Sequence, residues 1–367
     1  MLPPARFGIL IGMSARLREL SRIVGSCAAL LLAHGSPSWA QIVTVPAFGG
    51  AGVLGASSFR APALSPSLSI AAPMVAASLP AAPAALAAAP VAAASVPVSS
   101  GRGSALTGDI RYIRDFRSEA LGNSRTVAVF LPPGYDSSNE RYPVLYMQDG
   151  QNLFDASTAY NGNSWDLNEI CQRLMLSGEL PPFIVVAVDN AGKARTNEYS
   201  PVADETYGGG GGDLYGKFLI KELKPFIDSN LRTLPEAENT GIMGSSLGGL
   251  ISLHVGLSRP DVFMRIGGPS ASLWWANREL TRRLAASPLP SGPLPRVWVD
   301  MGTREGDHPD KRVEELLGLG EVLKARGWRE GDDLAVRVID GGTHDEPSWR
   351  ARSAEILKFL FPVGTRP

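Results

Sequence analysis

The sequence has little cysteine and little histidine, and its first hundred residues carry very little charge. Those hundred residues hold five arginines and one glutamate, a net charge of +4, whereas residues 101–367 hold 30 basic and 35 acidic side chains, a net charge of −5. About a quarter of the later residues are charged, as is usual in a soluble globular domain. The mildly acidic body has no cluster of lysine and arginine, and no basic amphipathic segment is present, which argues against nucleic acid or a membrane surface as a partner.

The N-terminus has the pattern of a secretory signal peptide. Arginines precede an apolar run at residues 23–33, and Ser38 and Ala40 place small side chains at the −3 and −1 positions of a cleavage site before Gln41. The apolar run has 11 residues, whereas a helix that spans a bilayer needs about 20. We therefore expect a signal peptide at residues 1–40, a secreted or periplasmic protein, and no insertion of the mature domain into a membrane.

Residues 41–104 consist mainly of alanine, proline, serine, glycine and valine, and Arg60 and Arg102 are their only charged residues. Such a segment has too few large side chains to offset the entropy lost on ordering. We predict that it is a disordered spacer. Cleavage after Ala40 would remove Cys27 and leave Cys171 without a partner, so the domain that follows must be stable without a disulfide.

The rest of the chain alternates between β-branched runs and segments of helical period. This alternation predicts βαβ units in an α/β domain at residues 105–363, with a mostly parallel central sheet, helices on both faces, and a tail at residues 364–367. Two early strands, at residues 112–116 and 126–131, are predicted to form an antiparallel hairpin at one sheet edge. The other predicted strands are residues 144–147, 184–188, 241–243, 297–299 and 334–339, and the predicted helices are residues 214–227, 247–257, 313–325 and 349–361.

A candidate nucleophile lies in the sequence Gly-Ser-Ser-Leu-Gly at residues 244–248. This G-x-S-x-G pattern follows an apolar strand and opens a helix, which is the order that a nucleophile elbow requires. The turn would lift the Ser246 hydroxyl above the sheet, and the helix N-terminus would supply an unpaired N–H group. Ser245 is the neighbouring rival, but only Ser246 occupies the central position.

A serine hydroxyl needs a base, and histidine has the appropriate pKa. His34 would leave with the signal peptide, His254 lies about 12 Å along the nucleophile helix, and His308 precedes a proline in a polar loop. His344 follows the last predicted strand and precedes the last helix, where the third member of a Ser, acid, His order belongs. We therefore expect His344 to be the base.

The acid should follow the preceding strand, which is at residues 297–299. Glu305 is the first candidate and Asp307 the second, since either carboxylate could orient His344 and stabilise its charged form. Asp300 comes too early. Asp310 is interpreted as a solvated loop charge, and the same interpretation competes with the acid role of Asp307.

An oxyanion hole needs a second N–H group near the end of an early strand. The loop at residues 148–152 follows such a strand, and Gly150 permits a close backbone approach. We assign the two donors to the main chain of Gln151 and Leu247. Three tryptophans are candidates for a substrate pocket, although each is equally compatible with a core position: Trp165, Trp274 and Trp275.

Several separated segments together resemble the putative esterase family of α/β hydrolases, which includes feruloyl, acetyl xylan and enterochelin esterases, S-formylglutathione hydrolases and mycolyl transferases. The resemblance implies an α/β-hydrolase fold and a triad that falls on Ser246, Glu305 and His344. Many members have aspartate where Glu305 stands, so the acid is the position at which this chain departs from the family. The segments are residues 129–135, 142–154, 195–199, 218–227, 244–249 and 341–344.

The function expected from these residues is that of a secreted serine esterase, a carboxylic ester hydrolase that needs no cofactor and no metal. Its substrate would be a small-molecule or polysaccharide-linked ester of a sugar, a phenolic acid or a siderophore, and the residues do not choose among these. Two alternatives stay open, an acyltransferase acting on a sugar hydroxyl and a non-catalytic binding module with a hydrolase-like fold.

Overall fold

A computed structural model describes residues 99–100, 109–289 and 291–364 of the chain. The predicted signal peptide, most of the predicted spacer and residues 365–367 lie outside the described residues. Ser99 and Ser100, which the sequence analysis assigned to the spacer, pair as a short strand with the first strand of the domain. None of the helices in the described ranges has the length and apolar character needed to cross a membrane.

The domain is built on a nine-stranded sheet in the order β1-β2-β3-β5-β4-β8-β9-β10-β11. The strands from β5 to β11 in this order pair in parallel, and the pairs β1–β2, β2–β3 and β3–β5 are antiparallel. A separate two-stranded sheet joins β6 to β7. The strands are β1 (Ser99–Ser100), β2 (Asp109–Ser118), β3 (Asn123–Leu131), β4 (Val144–Gln148), β5 (Ile184–Val188), β6 (Ala203–Asp204), β7 (Gly208–Gly209), β8 (Thr240–Met243), β9 (Arg265–Pro269), β10 (Arg296–Gly302) and β11 (Leu334–Ile339).

Helices cover both faces of the sheet. The apolar cluster on one face includes side chains from α3, α5, α6 and α7, and the cluster on the other face includes side chains from α1 and α8. A π-helical segment, Leu219–Leu223, joins α3 to α4. The helices are α1 (Leu167–Leu176), α2 (Arg195–Glu198), α3 (Gly212–Phe218), α4 (Lys224–Asn230), α5 (Leu247–Ser258), α6 (Trp275–Ala286), α7 (Pro309–Ala325) and α8 (Glu346–Leu360).

The predicted architecture is confirmed, including the antiparallel hairpin near one edge, which β2 and β3 form. Strand β5 is buried at every position, as a strand covered on both faces requires. Strand β9 was not predicted, because its sequence Arg-Ile-Gly-Gly-Pro has a single β-branched residue. Helices α1 and α6 were not predicted either, and the first turn of α6 contains three residues with positive φ and therefore lacks a regular helical beginning.

A buried ion pair joins the antiparallel edge to the helices. Arg125 on β3 donates to both carboxylate oxygens of Glu198 on α2, over 3.0 and 2.9 Å, and both side chains are almost completely buried. The Arg125 guanidinium also lies over the ring of Phe218, 4.9 Å from its centroid. This pair lies away from the strand ends that carry the candidate catalytic residues.

His254 connects three helices. On α5 it lies with Nε2 2.8 Å from Oδ1 of Asp213 on α3, and with Nδ1 2.8 Å from Nη2 of Arg283 on α6. Because arginine only donates, Nδ1 accepts, and the proton of the neutral ring lies on Nε2. Burial, with the Arg283 charge adding to it, lowers the pKa of His254 despite the opposing effect of Asp213.

The lowered pKa predicts a pH dependence of stability. Unfolded histidine, with a pKa of about 6.5, binds a proton before folded His254 does, so this residue stabilises the fold fully above that value and the contribution is lost as the pH falls below it. Denaturant unfolding at pH 7.5 and pH 5 should show a larger loss of stability for the wild type than for His254→Gln. Equal losses in the two proteins would contradict the prediction.

Candidate active site

The candidate nucleophile lies on a strained turn between β8 and α5. Ser246 has φ 58° and ψ −125°, a backbone conformation that residues other than glycine rarely adopt. Its neighbour Ser245 is buried, whereas Ser246 is half-buried, so the hydroxyl at the tip of the turn is the accessible one.

The two glycines of the G-x-S-x-G sequence allow this turn to pack against the end of β4. A Cβ at Gly244 would lie 2.8 Å from the side chain of Gln148, and a Cβ at Gly248 would lie 3.1 Å from Oδ2 of Asp149 and from Cβ of Gln148. The first contact is closer than real Cβ atoms allow. Close packing of the turn on β4 therefore requires glycine at position 244 and leaves little room for a side chain at position 248.

The ends of three parallel strands bring serine, histidine and glutamate together. Ser246 Oγ lies 2.9 Å from Nε2 of His344, and Nδ1 of the same ring lies 2.7 Å from Oε2 of Glu305. Ser246 follows β8, Glu305 follows β10, and His344 lies between β11 and α8. The geometry would let His344 accept the serine proton while its other nitrogen donates to the carboxylate.

Glu305 is held in the ionised form and in one orientation. The side chain is 2% exposed, and its Oε1 accepts from the Gly302 N–H group over 2.7 Å and from the Ser270 hydroxyl over 2.6 Å. Burial acts to raise the pKa of Glu305, but the hydrogen bonds from His344 and Ser270 outweigh it, so the pKa is lowered. Asp307, the second candidate, is exposed to solvent.

Sequence reasoning missed two residues that support Glu305. Ser270, with φ 47°, follows β9, the strand that the sequence analysis did not predict. Its hydroxyl also accepts from Nε1 of Trp349 over 2.9 Å, and the Trp349 ring packs edge-on against the His344 ring with centroids 5.1 Å apart. No short motif marks either residue, because Ser270 follows a strand with little strand signal and Trp349 reaches the site through the packing of α8 on the sheet.

The loop after β4, to which the second oxyanion donor was assigned, is held by a buried carboxylate. Asp149 has φ 56° and accepts from Nε and Nη2 of Arg195 over 2.7 and 2.8 Å, and from Nδ2 of Asn190 over 2.6 Å. Gly150 lies so close to β5 that a Cβ would be 2.6 Å from the main chain of Ala187. Gln151 therefore lies in a short helical turn, Gly150–Asn152, whose backbone is fixed on both sides.

A cavity of about 200 Å³ opens beside His344 and Glu305. Trp274 lines it together with Met301 and Arg312, whose guanidinium lies 5.4 Å from the centroid of the Trp274 ring. The exposed Tyr207 packs edge-on against Trp274, with centroids 5.5 Å apart. A larger groove of about 700 Å³ lies at the opposite, amino ends of the parallel strands, away from Ser246.

The other two candidate tryptophans do not line the cavity. Trp165 is 2% exposed and packs against Trp349, with centroids 5.7 Å apart, so it lies behind the His344 ring. Trp275 is also buried, and its Nε1 donates to the main-chain oxygen of Val202 over 2.8 Å. Both are therefore core residues. Within residues 109–289 and 291–364, no group of three or more His, Cys, Asp or Glu side chains could hold a metal ion.

Two curated relatives align with the catalytic domain. The endo-1,4-beta-xylanase/feruloyl esterase of Xylanibacter ruminicola is 28% identical over 253 residues, which are 67% of this chain and 30% of that protein. The iron(III) enterobactin esterase of Escherichia coli K12 is 25% identical over 241 residues, which are 64% of this chain and 53% of that protein. The aligned region is thus about a third to a half of these two relatives.

Solved structures share the fold. A ferulic acid esterase superposes with a TM-score of 0.53 at 20% sequence identity, covering 69% of this chain and 97% of that one. The family model described as "Putative esterase" matches residues 118–360, which include every strand from β3 to β11. They also include the hydrogen-bonded chain formed by Ser246, His344 and Glu305. The chain therefore belongs to the putative esterase family of α/β hydrolases.

Proposed function

We propose that this protein is a serine esterase that cleaves carboxylic esters through an acyl-enzyme, with Ser246 as nucleophile, His344 as general base and acid, and Glu305 as the orienting carboxylate. The hydrogen-bonded chain from Ser246 Oγ through the His344 ring to Glu305 carries this proposal, since its links of 2.9 and 2.7 Å need no rearrangement. Membership of an esterase family supports the same reaction class.

In the first half-reaction, Nε2 of His344 accepts the proton of Ser246 as Oγ forms a bond to the ester carbonyl carbon. The imidazolium that forms is stabilised by the Glu305 carboxylate on its other side. His344 then donates its proton to the departing alcohol oxygen as the carbon–oxygen bond breaks. Ser246 is left as an ester of the acyl group.

The carbonyl oxygen gains negative charge during attack and needs hydrogen-bond donors. The main-chain N–H group of Leu247, at the first residue of α5, has no partner within the helix, and the dipole of that helix favours negative charge there. The N–H group of Gln151 is our second donor, on a turn anchored by Asp149 and Gly150. In the second half-reaction His344 accepts a proton from a water molecule, whose oxygen forms a bond to the acyl carbon. His344 then donates that proton to Ser246 Oγ as the bond between Oγ and the acyl carbon breaks, which releases the carboxylic acid and restores the serine.

The substrate proposal rests on the cavity beside His344. Trp274, with the Arg312 guanidinium over its ring, forms a wall suited to a flat ring that carries oxygen substituents. We therefore favour an ester of a phenolic acid, whose ring would lie against Trp274, over an acetylated polysaccharide. The relative from Xylanibacter ruminicola, named as a feruloyl esterase, acts on an ester of this kind.

The location proposal rests on the sequence alone. Residues 1–40 are proposed to direct export, and residues 41–104 to link the cleaved N-terminus to the catalytic domain. Detection of a product that begins at Gln41 in the medium or periplasm would test this proposal, and retention of residues 1–40 in the cytoplasm would contradict it.

Removing the nucleophile should abolish turnover without unfolding the domain. We expect Ser246→Ala and His344→Ala each to lower kcat for p-nitrophenyl esters by about 10³-fold or more, and the double variant to be hardly worse, because the two groups act as a unit. Thermal unfolding provides the folding control. Full activity in Ser246→Ala, or losses that multiply in the double variant, would contradict these roles.

The two candidate acids can be separated by matched substitutions. Glu305→Gln keeps the shape but removes the charge that stabilises the imidazolium, so kcat should fall by about 10²- to 10⁴-fold. Asp307→Asn, two residues along the same loop, should leave kcat within about twofold, because this carboxylate is exposed. The reverse ranking would transfer the role to Asp307.

The proposed ring contact can be tested with paired substrates. Trp274→Ala should lower kcat/KM for a feruloyl ester by about two- to tenfold, the value of one aromatic contact, and leave kcat/KM for the matching acetyl ester unchanged. Steady-state kinetics with the two esters of one alcohol measures this difference. Equal losses for both esters would show that Trp274 does not contact the acyl group.

A further inference from the structure

A buried arginine lies directly behind the triad carboxylate. The Arg352 side chain, on α8, is 5% exposed, and its Nη2 donates to the Ser270 hydroxyl over 2.6 Å. The same Nη2 lies 3.0 Å from Oδ1 of Asp300 and 3.8 Å from Oε1 of Glu305. Ser270 in turn donates to Glu305, so the guanidinium fixes the direction of that hydrogen bond.

The second terminal nitrogen of the Arg352 guanidinium contacts the support of the loop that carries His344. Nη1 of Arg352 donates to the Ser348 hydroxyl over 2.8 Å, and that hydroxyl oxygen accepts from the main-chain N–H group of Thr343 over 3.1 Å. Thr343 is the residue before His344. One planar group therefore holds the supports of Glu305 on one side and of His344 on the other.

The positive charge of Arg352 partly neutralises two buried carboxylates, those of Asp300 and Glu305. Asp300 on β10 is almost fully buried and accepts from Nε1 of Trp298 over 2.7 Å and from the Ser270 N–H group over 3.1 Å. Burial raises the pKa of Asp300, and Arg352 opposes that rise. With both carboxylates ionised, Asp300, Glu305 and Arg352 carry a net charge of −1, which a proton on His344 neutralises.

We propose that Arg352 is a positioning residue for the hydrogen-bonded chain. Through the hydroxyl groups of Ser270 and Ser348, it sets the geometry between Glu305 and His344. Together with its counter-ion Asp300, it also sets the net charge that surrounds the His344 imidazolium. This inference rests on the proposed serine esterase function. It goes beyond the triad because it makes catalysis depend on a buried cation that touches neither the substrate nor the nucleophile.

Other charged groups face His344 and remain in place in every variant below. Glu346 is the first residue of α8 and interacts with His344, Asp345 precedes it as the N-cap of that helix, and Arg312 lines the cavity together with His344. Their influence is common to all the proteins compared, so differences between variants report on Arg352 and Asp300.

The electrostatic part of the proposal predicts the direction of a pH shift that a purely structural role would not produce. Asp300→Asn leaves the Arg352 charge without its counter-ion, so the acid limb of the kcat/KM profile, which reports His344, should move to lower pH by about one unit. In Arg352→Met/Asp300→Asn both charges are absent and Glu305 again supplies a net charge of −1. The acid limb of this double variant should return to within about 0.3 units of the wild type.

The positioning part predicts a loss of kcat without a change in KM. Arg352→Met should lower kcat by about 10- to 100-fold, because it removes a group that orients catalytic side chains. KM should stay within about twofold of the wild-type value. Arg352→Lys keeps the charge but cannot reach Ser270 and Ser348 together, so its acid limb should match the wild type while kcat stays reduced. Arg125→Lys, at the other buried arginine, is the matched control and should change stability but neither kcat nor the pH profile.

A second readout does not require turnover. The ¹³Cε1 signal of His344, identified by its loss in His344→Gln, can be titrated by NMR in each variant, after thermal unfolding has confirmed that the variant is folded. The same downward shift in Asp300→Asn and its reversal in the double variant support the proposal. An unmoved His344 titration in Asp300→Asn, a shift that persists in the double variant, or wild-type kcat in Arg352→Met would overturn it. Absence of esterase activity in the wild type would refute the proposed function, and the NMR titration would still decide the role of Arg352.

Discussion

The positive φ of Ser246 is the constraint on which the site depends. A turn of this kind lifts the hydroxyl above the sheet only if the strand before it and the helix after it are both held firmly. Strand β8 provides one anchor, because it pairs in parallel with β4 on one side and β9 on the other. The buried helix α5 provides the second, and the absence of side chains at Gly244 and Gly248 lets the whole turn approach β4. Backbone strain at the nucleophile is thus offset by burial of its neighbours.

The parallel sheet determines what can meet that hydroxyl. Parallel strands present their carboxyl ends at one edge, so the segments after β4, β8, β9, β10 and β11 all converge there. Glutamate, histidine, serine and the glycine-containing loop come from separate parts of the chain, and each is fixed by the strand that precedes it. Because rigid strands rather than long loops carry these residues, the links of the Ser246–His344–Glu305 chain are short before any substrate binds.

Electrostatic balance is the second organising feature of the site. A carboxylate as deeply buried as Glu305 is costly unless it is fully hydrogen-bonded, and its four contacts come from His344, Ser270, Gly302 and the more distant Arg352. The buried carboxylate of Asp149, at the end of β4, is likewise hydrogen-bonded, because Arg195 and Asn190 both donate to it. Glu305 and Asp149 thus hold the segments after β10 and β4 in place beside Ser246.

Local chemistry alone marked a large part of this protein. The G-x-S-x-G sequence, the position of His344 after the last strand and the alternation of strands and helices are all short-range patterns, so they predicted the fold and the residues that now form the hydrogen-bonded chain. Only the tertiary structure distinguished Glu305 from Asp307, because the choice depends on which carboxylate turns inward beneath His344. It also separated Trp274, at the cavity, from Trp165 and Trp275, in the core. Ser270 and Arg352 carried no sequence signal, and Asp300 stood out only as a carboxylate too early in its strand to be the acid. Their contacts with one another arise where α8 packs across the ends of β9 and β10, and contacts between residues so distant in the chain are decided by packing rather than by local sequence.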